Sequence, residues 1–258
     1  MTNTTPSRAS LFLWHGCSLI VGPGIDSTPH AHFAAQLTLG LDQPFRARLR
    51  ADQAWVETQA AIFAPNQSHQ LDCGGGMLAH LFVEQPQRQQ AVASELLAQY
   101  HALPDFGAVR AAIDAARHGE LNLDAAEHAA RLWAKCALPD ASAPQSIDLR
   151  IGKAIAWIAD HPSMQPGGAQ LATMVHLSQS RFTHLFRQQT GLPLSRYLSW
   201  TRLLDAVAAV ADGANMTTAA HRAGFADLAH MSRSFRGTFG VMPSELQKMT
   251  IAFKRKDG

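Results

Sequence analysis

Apolar and polar positions divide the chain into two textures. In the first third, four short runs alternate or cluster apolar residues between turn residues: AHFAAQLTLGL (31–41), FRARLRA (45–51), WVETQAAIFAP (55–65) and GMLAHLFVE (76–84). Runs of that length and spacing predict strands, so residues up to about Gln85 read as β structure. After Pro86 the period lengthens. RQQAVASELLAQY (88–100), DFGAVRAAIDAAR (105–117) and NLDAAEHAARLWAKCAL (122–138) have helical spacing. Asp105 and either Asn122 or Asp124 stand where N-caps help, and Gly119 stands where a helix would stop. PDASAPQS, Pro139 to Ser146, has the composition of a linker. Every periodic segment beyond it predicts helix.

That last segment repeats itself. ATMVHLSQSRFTHLFRQQTGLP (172–193) resembles AHRAGFADLAHMSRSFRGTFGV (220–241). Ala172 and His176 match Ala220 and Gly224 at an offset of 48, and Phe182, Phe186 and Gly191 match Met231, Phe235 and Gly240 at an offset of 49. The extra residue falls in the turn, where insertion is easiest. Each copy predicts a short helix, a turn and a second helix stopped by glycine, the plan of a helix-turn-helix unit. PLSRYLSWTRLLDAVAAVADG lies between them and predicts one longer helix ending at Gly213. About seventeen residues make a rod of roughly 26 Å. With helix thickness added, that rod could hold two helices near the ~34 Å that separates successive major-groove faces.

Charge sharpens the picture. The 258 residues carry +2 overall, but from Ile147 onward there are 13 Lys+Arg against 7 Asp+Glu, leaving the remainder acidic. A basic half joined to an acidic half suggests nucleic-acid contact by the former. The three cysteines, Cys17, Cys73 and Cys136, are scattered and form no C-x-x-C pair, which argues for a reducing, cytoplasmic setting and against structural zinc. The polar start has no signal-peptide core, and no apolar run approaches a membrane span, so no membrane partner is expected.

The residues from about Ile151 to Leu246 resemble the AraC/XylS-type transcriptional regulators. The resemblance rests on LA-x-x-x-HLS-x-S-x-F-x-x-x-F-R-x-x-TG and on AGF-x-x-x-x-x-x-SR-x-FR-x-x-FG-V-x-P. It implies a DNA-binding unit with two helix-turn-helix motifs, and a separate sensing or dimerising domain. Carried over residue by residue, it places Ser180, Thr183 and His184 toward the groove in a first reading helix over 179–189, with Arg187 nearer the backbone. In a second, over 228–238, Leu228, Ala229, Ser232 and Arg233 face the groove and Arg236 sits beside phosphate. Arg233 is the sharpest candidate, since Arg can bond guanine O6 and N7 together. Phe182, Leu185, Phe186, Met231, Phe235 and Phe239 read as core. Four positions depart from the pattern: His176 where glycine is usual, Ala219 where a larger aliphatic is usual, and apolar Leu228 and Ala229 where polar readers are common.

In the front segment PHAHFAAQ, His30 and His32 stand two apart, on one face of a strand that also carries Gln36, and APNQSHQL supplies His69. This resembles a cupin, whose metal sites use H-x-H, an acid and a later His. Here Gln36 replaces the acid. The pocket reading is a site for a small polar or anionic effector. The metal reading takes His30, His32 and His69 as ligands, since neutral imidazole suits iron, nickel, copper or zinc. The bland reading is that a regulator's barrel has kept polar residues and needs no cofactor. Trp14 and Trp55 are candidates for the pocket wall or the core. Cys73 is a candidate redox sensor or an inert loop cysteine, His161 and His221 are surface residues, and Lys254 to Lys256 form a solvated tail.

The expected architecture is α+β: a cupin-like β-barrel and effector domain over 10–86, a helical connector over 87–138 that dimerises, and an all-α double helix-turn-helix domain over 147–252. The expected function is a cytoplasmic, sequence-specific transcription regulator and not an enzyme, with promoter DNA, RNA polymerase, a small-molecule effector and a second copy of itself as partners. The alternatives are a cupin-type metalloenzyme with an appended helical domain, and a repeat-built protein-interaction module.

Overall fold

The computed structural model describes residues 8–14, 17–83, 94–97, 106–118, 122–138, 147–161, 164 and 166–253. The linker Pro139 to Ser146, Asp105, Gly119 and the tail Lys254 to Lys256 lie outside them. Contacts group Met1–Asp140 with Arg236–Gly258 in one compact unit, and Ala141–Phe235 in another.

The first unit is built on two sheets. Strands β1 (Ala9–Trp14), β2 (Cys17–Pro23), β3 (Ala35–Gly40), β6 (Ala60–Phe63), β8 (Met77–Val83), β9 (Glu95–Leu97) and β10 (Met249–Phe253) form a seven-stranded sheet in the order β10-β1-β2-β8-β3-β6-β9. A smaller sheet has the order β5-β4-β7, from β4 (Phe45–Arg48), β5 (Val56–Thr58) and β7 (Gln70–Asp72). The large sheet ends at β10 and β9, so the expected barrel is an open, two-sheet form. All its pairings are antiparallel except that of β1 with β10.

Strand β3 is buried along its whole length, and its period of two sorts its side chains. Leu37 and Leu39 enter an apolar core with Phe12, Leu19 and Leu81. Gln36 and Thr38 point the other way, opposite Phe82 and His80 of β8. The apolar core is covered by helices α1 (Phe106–His118) and α2 (Leu123–Ala137). Val109, Ile113 and Ala116 of α1 recur at helical spacing, as do Ala126, Ala129, Ala130, Trp133 and Ala134 of α2. The alanines are small enough to bring α2 close to its neighbours. The apolar faces of α1 and α2 are therefore covered by the unit's own sheet. Asn122 caps α2, its side chain accepting the Ala125 N–H.

Two segments differ from the sequence pattern. Within RQQAVASELLAQY, expected as helix, residues 95–97 form β9 against the free edge of β6. A short apolar run does not distinguish the two forms, and an open sheet edge decides it. After the second reading helix, where only helix was expected, a 3₁₀ turn (Pro243–Lys248) leads into β10. Its TIAF run is only half-buried, too short and too weakly alternating to register as a strand. Trp14 packs against the sheet–helix core, and Trp55 lies beneath the Arg48 guanidinium at 4.5 Å. Cys73 is buried, and burial pushes its thiol up to about 12, so it is inert as a redox sensor.

The second unit holds α3 (Leu149–Asp160), α4 (Gly168–Met174), α5 (Gln179–Thr190), α6 (Leu194–Ala211), α7 (Met216–Arg222) and most of α8 (Leu228–Phe239). The repeat is real in the backbone. Between α4 and α5, His176 takes φ +56°, and between α7 and α8, Gly224 takes φ +76°. The following amides bond alike: Leu177 N–H to Ala172 O at 2.9 Å, Phe225 N–H to Ala220 O at 2.9 Å. Gly191 (φ +76°) ends α5 and Gly240 (φ +73°) ends α8, each N–H returning to the carbonyl four residues back. Ser178 and Asp227 cap the starts of α5 and α8. In the first copy Phe182, Leu185 and Phe186 pack on Ile151, Ala154, Ile158 and Leu171; truncating such a buried Phe to Ala costs ~3–5 kcal/mol. In the second, Met231 and Phe235 are buried on α8, with Ala219, Ala220 and Ala223 around α7. Among the described residues no helix is long and apolar enough to cross a membrane.

Glycine at position 176 would relieve the left-handed strain on a side chain with a Cβ, which costs about 1–2 kcal/mol. Its greater freedom in the unfolded chain takes back part of that gain. His176→Gly is therefore expected to raise unfolding stability by about 0.5–1 kcal/mol in urea titrations; a loss would show that the His176 side chain makes a compensating contact.

Candidate functional site: reading helices and a histidine cluster

On α5, Ser180, Thr183, His184 and Arg187 are all exposed, while Phe182, Leu185 and Phe186 are buried. Positions i, i+3, i+4 and i+7 share a face, so the four candidate readers form one polar stripe. The Thr183 hydroxyl donates to Gln179 O at 2.9 Å, which leaves its lone pairs and methyl facing outward. On α8, Ala229, Arg233 and Arg236 are exposed, and Leu228 and Ser232 are half-buried. Leu228 thus belongs partly to the packing, and the polar reach of α8 rests on Arg233 with Arg236 one turn further. Among the described residues no ion pair engages Arg187, Arg233 or Arg236. His221 is exposed as expected; His161 is half-buried, its ring stacked on Trp157.

The first unit brings His30, His32 and His69 together, with one ring nitrogen of each within 4.8 Å of the others. The expected strand under the H-x-H pair is irregular chain. His30 instead forms an isolated bridge with His69, and their backbones exchange bonds of 3.1 and 2.9 Å. Phe63 stacks on His69, and Phe82 meets His32 edge-on. Each Nδ1 faces a backbone carbonyl: His30 to Thr28 O at 2.9 Å, His32 to Ala34 O at 2.8 Å, His69 to Gln67 O at 2.9 Å. A carbonyl can only accept, so every Nδ1 carries the proton and every Nε2 presents a lone pair. This is the outer support by which ligating imidazoles are held in one tautomer.

Gln36 completes the cluster, its Oε1 lying 2.7 Å from His32 Nε2 and 3.1 Å from His69 Nε2. In that orientation acceptors face acceptors. Two arrangements resolve the clash. Turning the amide lets its NH2 donate to both rings, while Oε1 accepts from the Thr38 hydroxyl and His80. A cation among the four lone pairs lets the amide stay, with its NH2 donating to Thr38 Oγ1 at 2.9 Å. The residues therefore fit a transition-metal ion. They do not fit an anion, which would meet lone pairs.

His80 and Thr38 extend the network, His80 Nδ1 lying 3.0 Å from Thr38 Oγ1. Neither was legible as a site residue; the available signal was a histidine inside the otherwise apolar LAHLFV strand. Burial above all, and then the neighbouring His32, lower the His30 and His80 pKa values to about 4. Burial also lowers His32, and lowers His69 well below its ordinary range. The cluster is neutral at pH 7.

The second unit also matches known proteins. The family described as "Helix-turn-helix domain" matches residues 171–249. The HTH-type transcriptional activator RhaS of Klebsiella pneumoniae (strain 342) is 31% identical over 102 residues, 39% of this chain and 37% of its own. RhaS of Escherichia coli O9:H4 (strain HS) is 32% identical over 100 residues, 38% and 36% of the two chains. Residues 171–249 are thus similar to the helix-turn-helix domains of transcriptional activators. The chain matches little more than a third of the length of these relatives. A solved structure of apo ToxT, a single-residue variant from Vibrio cholerae strain SCE256, has the same fold with a TM-score of 0.60 at 11% identity, covering 91% of this chain and 98% of that one. Within the repeat, His176 is a left-handed residue standing where the second copy has Gly224.

Protonation links the cluster to stability. The unfolded histidines titrate near 6.5, while folded His30 and His80 titrate near 4. Between those values the unfolded chain binds more protons, so stability falls as pH drops from about 6.5 to 4. Metal-stripped protein should lose roughly 1.4 kcal/mol per unit of pKa difference for each such ring. Urea titrations across this range should show the loss, and His80→Gln should make it shallower by about 3 kcal/mol.

Proposed function

We propose that this chain is a sequence-specific DNA-binding transcription regulator. The observation that carries the proposal is the matched pair of helix-turn-helix copies, each with a left-handed turn, a capped reading helix and an exposed polar or basic stripe. Promoter duplex in the cytoplasm is its partner, and contact with RNA polymerase goes with the role. The RhaS relatives are named as activators, which supports activation as the output. A homodimer would present two such units to one operator. Since the apolar faces of α1 and α2 are buried, its contact falls on another surface.

The front domain holds the effector site, formed by His30, His32, Gln36 and His69. A divalent first-row cation suits its four neutral donors. The second reading is a small organic effector, supported by a ToxT structure described with an unsaturated fatty acid bound; a carboxylate would need donors that this cluster lacks. A cupin-type metalloenzyme is disfavoured on access. The three histidines are 7%, 3% and 1% exposed, which leaves little room for a substrate beside an ion. A protein-interaction module explains neither the basic stripe nor its repetition.

Full-length protein should bind promoter DNA with an affinity that falls steeply with salt. Arg233→Ala should cost ~1–3 kcal/mol and relax sequence preference, whereas Arg187→Ala should weaken all duplexes alike and lower the salt slope by about one. Selection of binding sites from random duplexes by each variant checks this. An Arg233→Ala protein that retains its preferred site and loses affinity uniformly would reassign that residue to phosphate.

A further inference from the structure

Thr28 belongs to two bond sets at once. Its carbonyl accepts the His30 Nδ1–H at 2.9 Å. Its N–H and its hydroxyl both donate to Gly240 O, at 2.9 and 3.1 Å. Gly240 is the left-handed cap of α8, and its own N–H returns to Arg236 O at 2.8 Å. All these groups lie in the first unit, which takes in the last turn of α8. The His30 ring also lies against the glycine itself. A Cβ built on Gly240 would stand 2.4 Å from His30 Nδ1 and 2.8 Å from Thr28 O. No other residue type fits there without moving the ring. Beyond the cap, β10 pairs with β1 over five residues, Ala9 with Met249 through Leu13 with Phe253, and Arg8 bonds Gln247 O. The chain on the far side of Gly240 is therefore anchored, and the cap is held between that anchor and the histidine cluster.

We propose that Thr28 and Gly240 form a latch through which the state of the histidine cluster sets the end of the second reading helix. The proposal rests on the reading of that cluster as the sensory site. An occupant drawing on His30 Nε2 reorients its ring, and the ring carries the Thr28 carbonyl on its other nitrogen. Thr28 in turn carries the Gly240 carbonyl, and Gly240 caps the turn that presents Arg236. The path from effector ligand to phosphate contact crosses three residues. An effector acts only by preferring one arrangement; the latch makes the α8 terminus part of what is preferred. Coupling of this kind is reciprocal, so a change at Gly240 must also be felt by the histidines.

The repeat supplies the control. Gly191 caps α5 in the same left-handed conformation, φ +76° against +73°, but a Cβ built there meets nothing within 4 Å. Gly191→Ala and Gly240→Ala thus share the backbone strain, and only the second presses on His30. Hydrogen exchange is read by mass spectrometry on the full chain, with α2 as the control for global opening. Gly240→Ala should speed exchange at least tenfold in segments 28–32 and 66–70, and Gly191→Ala should leave both at wild-type rates. Equal effects of the two variants, or none from Gly240→Ala, would overturn the latch. If Gly240→Ala opens α2 as well, the milder Thr28→Val decides. It removes the hydroxyl bond and keeps the N–H, and it should speed exchange at 236–241 several-fold; wild-type rates there would overturn the proposal.

Cobalt(II) tests the direction of signalling. Loading should slow exchange at 28–32 and 236–241 in the wild type, and in Thr28→Val the slowing at 236–241 should be several-fold smaller while that at 28–32 persists. Undiminished slowing at 236–241 in Thr28→Val would overturn the latch as the route. A protein that takes up no cobalt(II) would sink the metal reading of the pocket and leave the glycine and Thr28→Val comparisons to decide the latch.

Discussion

The first unit depends on one strand that has no solvent face. Every residue of β3 is buried, so its polar side chains must find partners inside the protein, since a buried donor or acceptor left alone costs more than most contacts gain. Leu37 and Leu39 meet the helices. Gln36 and Thr38 meet His32, His69 and His80. The histidine cluster is thus the polar half of the core, and its Nδ1 bonds to backbone carbonyls fix the loop before β3 and the bridge before β7. Apolar replacements of similar volume would satisfy packing alone. The converging Nε2 atoms show that the polar half is arranged around a point, which packing does not require.

The second unit follows a different rule. Its two reading helices are placed by turns that L-residues adopt reluctantly, and by glycines that end each helix after three turns. This explains why the second unit was legible in the sequence almost to the residue. Left-handed turns, N-caps and buried aromatic pairs leave local marks, and the repeat printed each mark twice. His176 is the one disguised mark, and its partner Gly224 exposed it.

The first unit was legible as strands and as a histidine constellation, and illegible where partners are distant in sequence. β9 was misread because an apolar run of that length takes the form its neighbour offers, and the neighbour was the edge of β6. His80 was passed over because one histidine in an apolar strand gives no hint of the side chains opposite. β10 was missed for the same reason: its pairing partner lies at the opposite end of the described chain. The connector was expected to dimerise; the alanine-rich faces of α1 and α2 look unsatisfied until the sheet beneath them is known.

The pairing of β10 with β1 also orders events during synthesis. Domains emerging from the ribosome generally fold from the N-terminus as they appear, but β1 must wait, its outer edge unpaired, until the helix-turn-helix unit has been made. An open edge is a template for another chain. Nascent copies on one polysome are therefore exposed to mispairing through β1 while the residues between β1 and β10 are made. The edge closes only as β10 arrives, so the completion of the sensor and the delivery of the reading heads coincide.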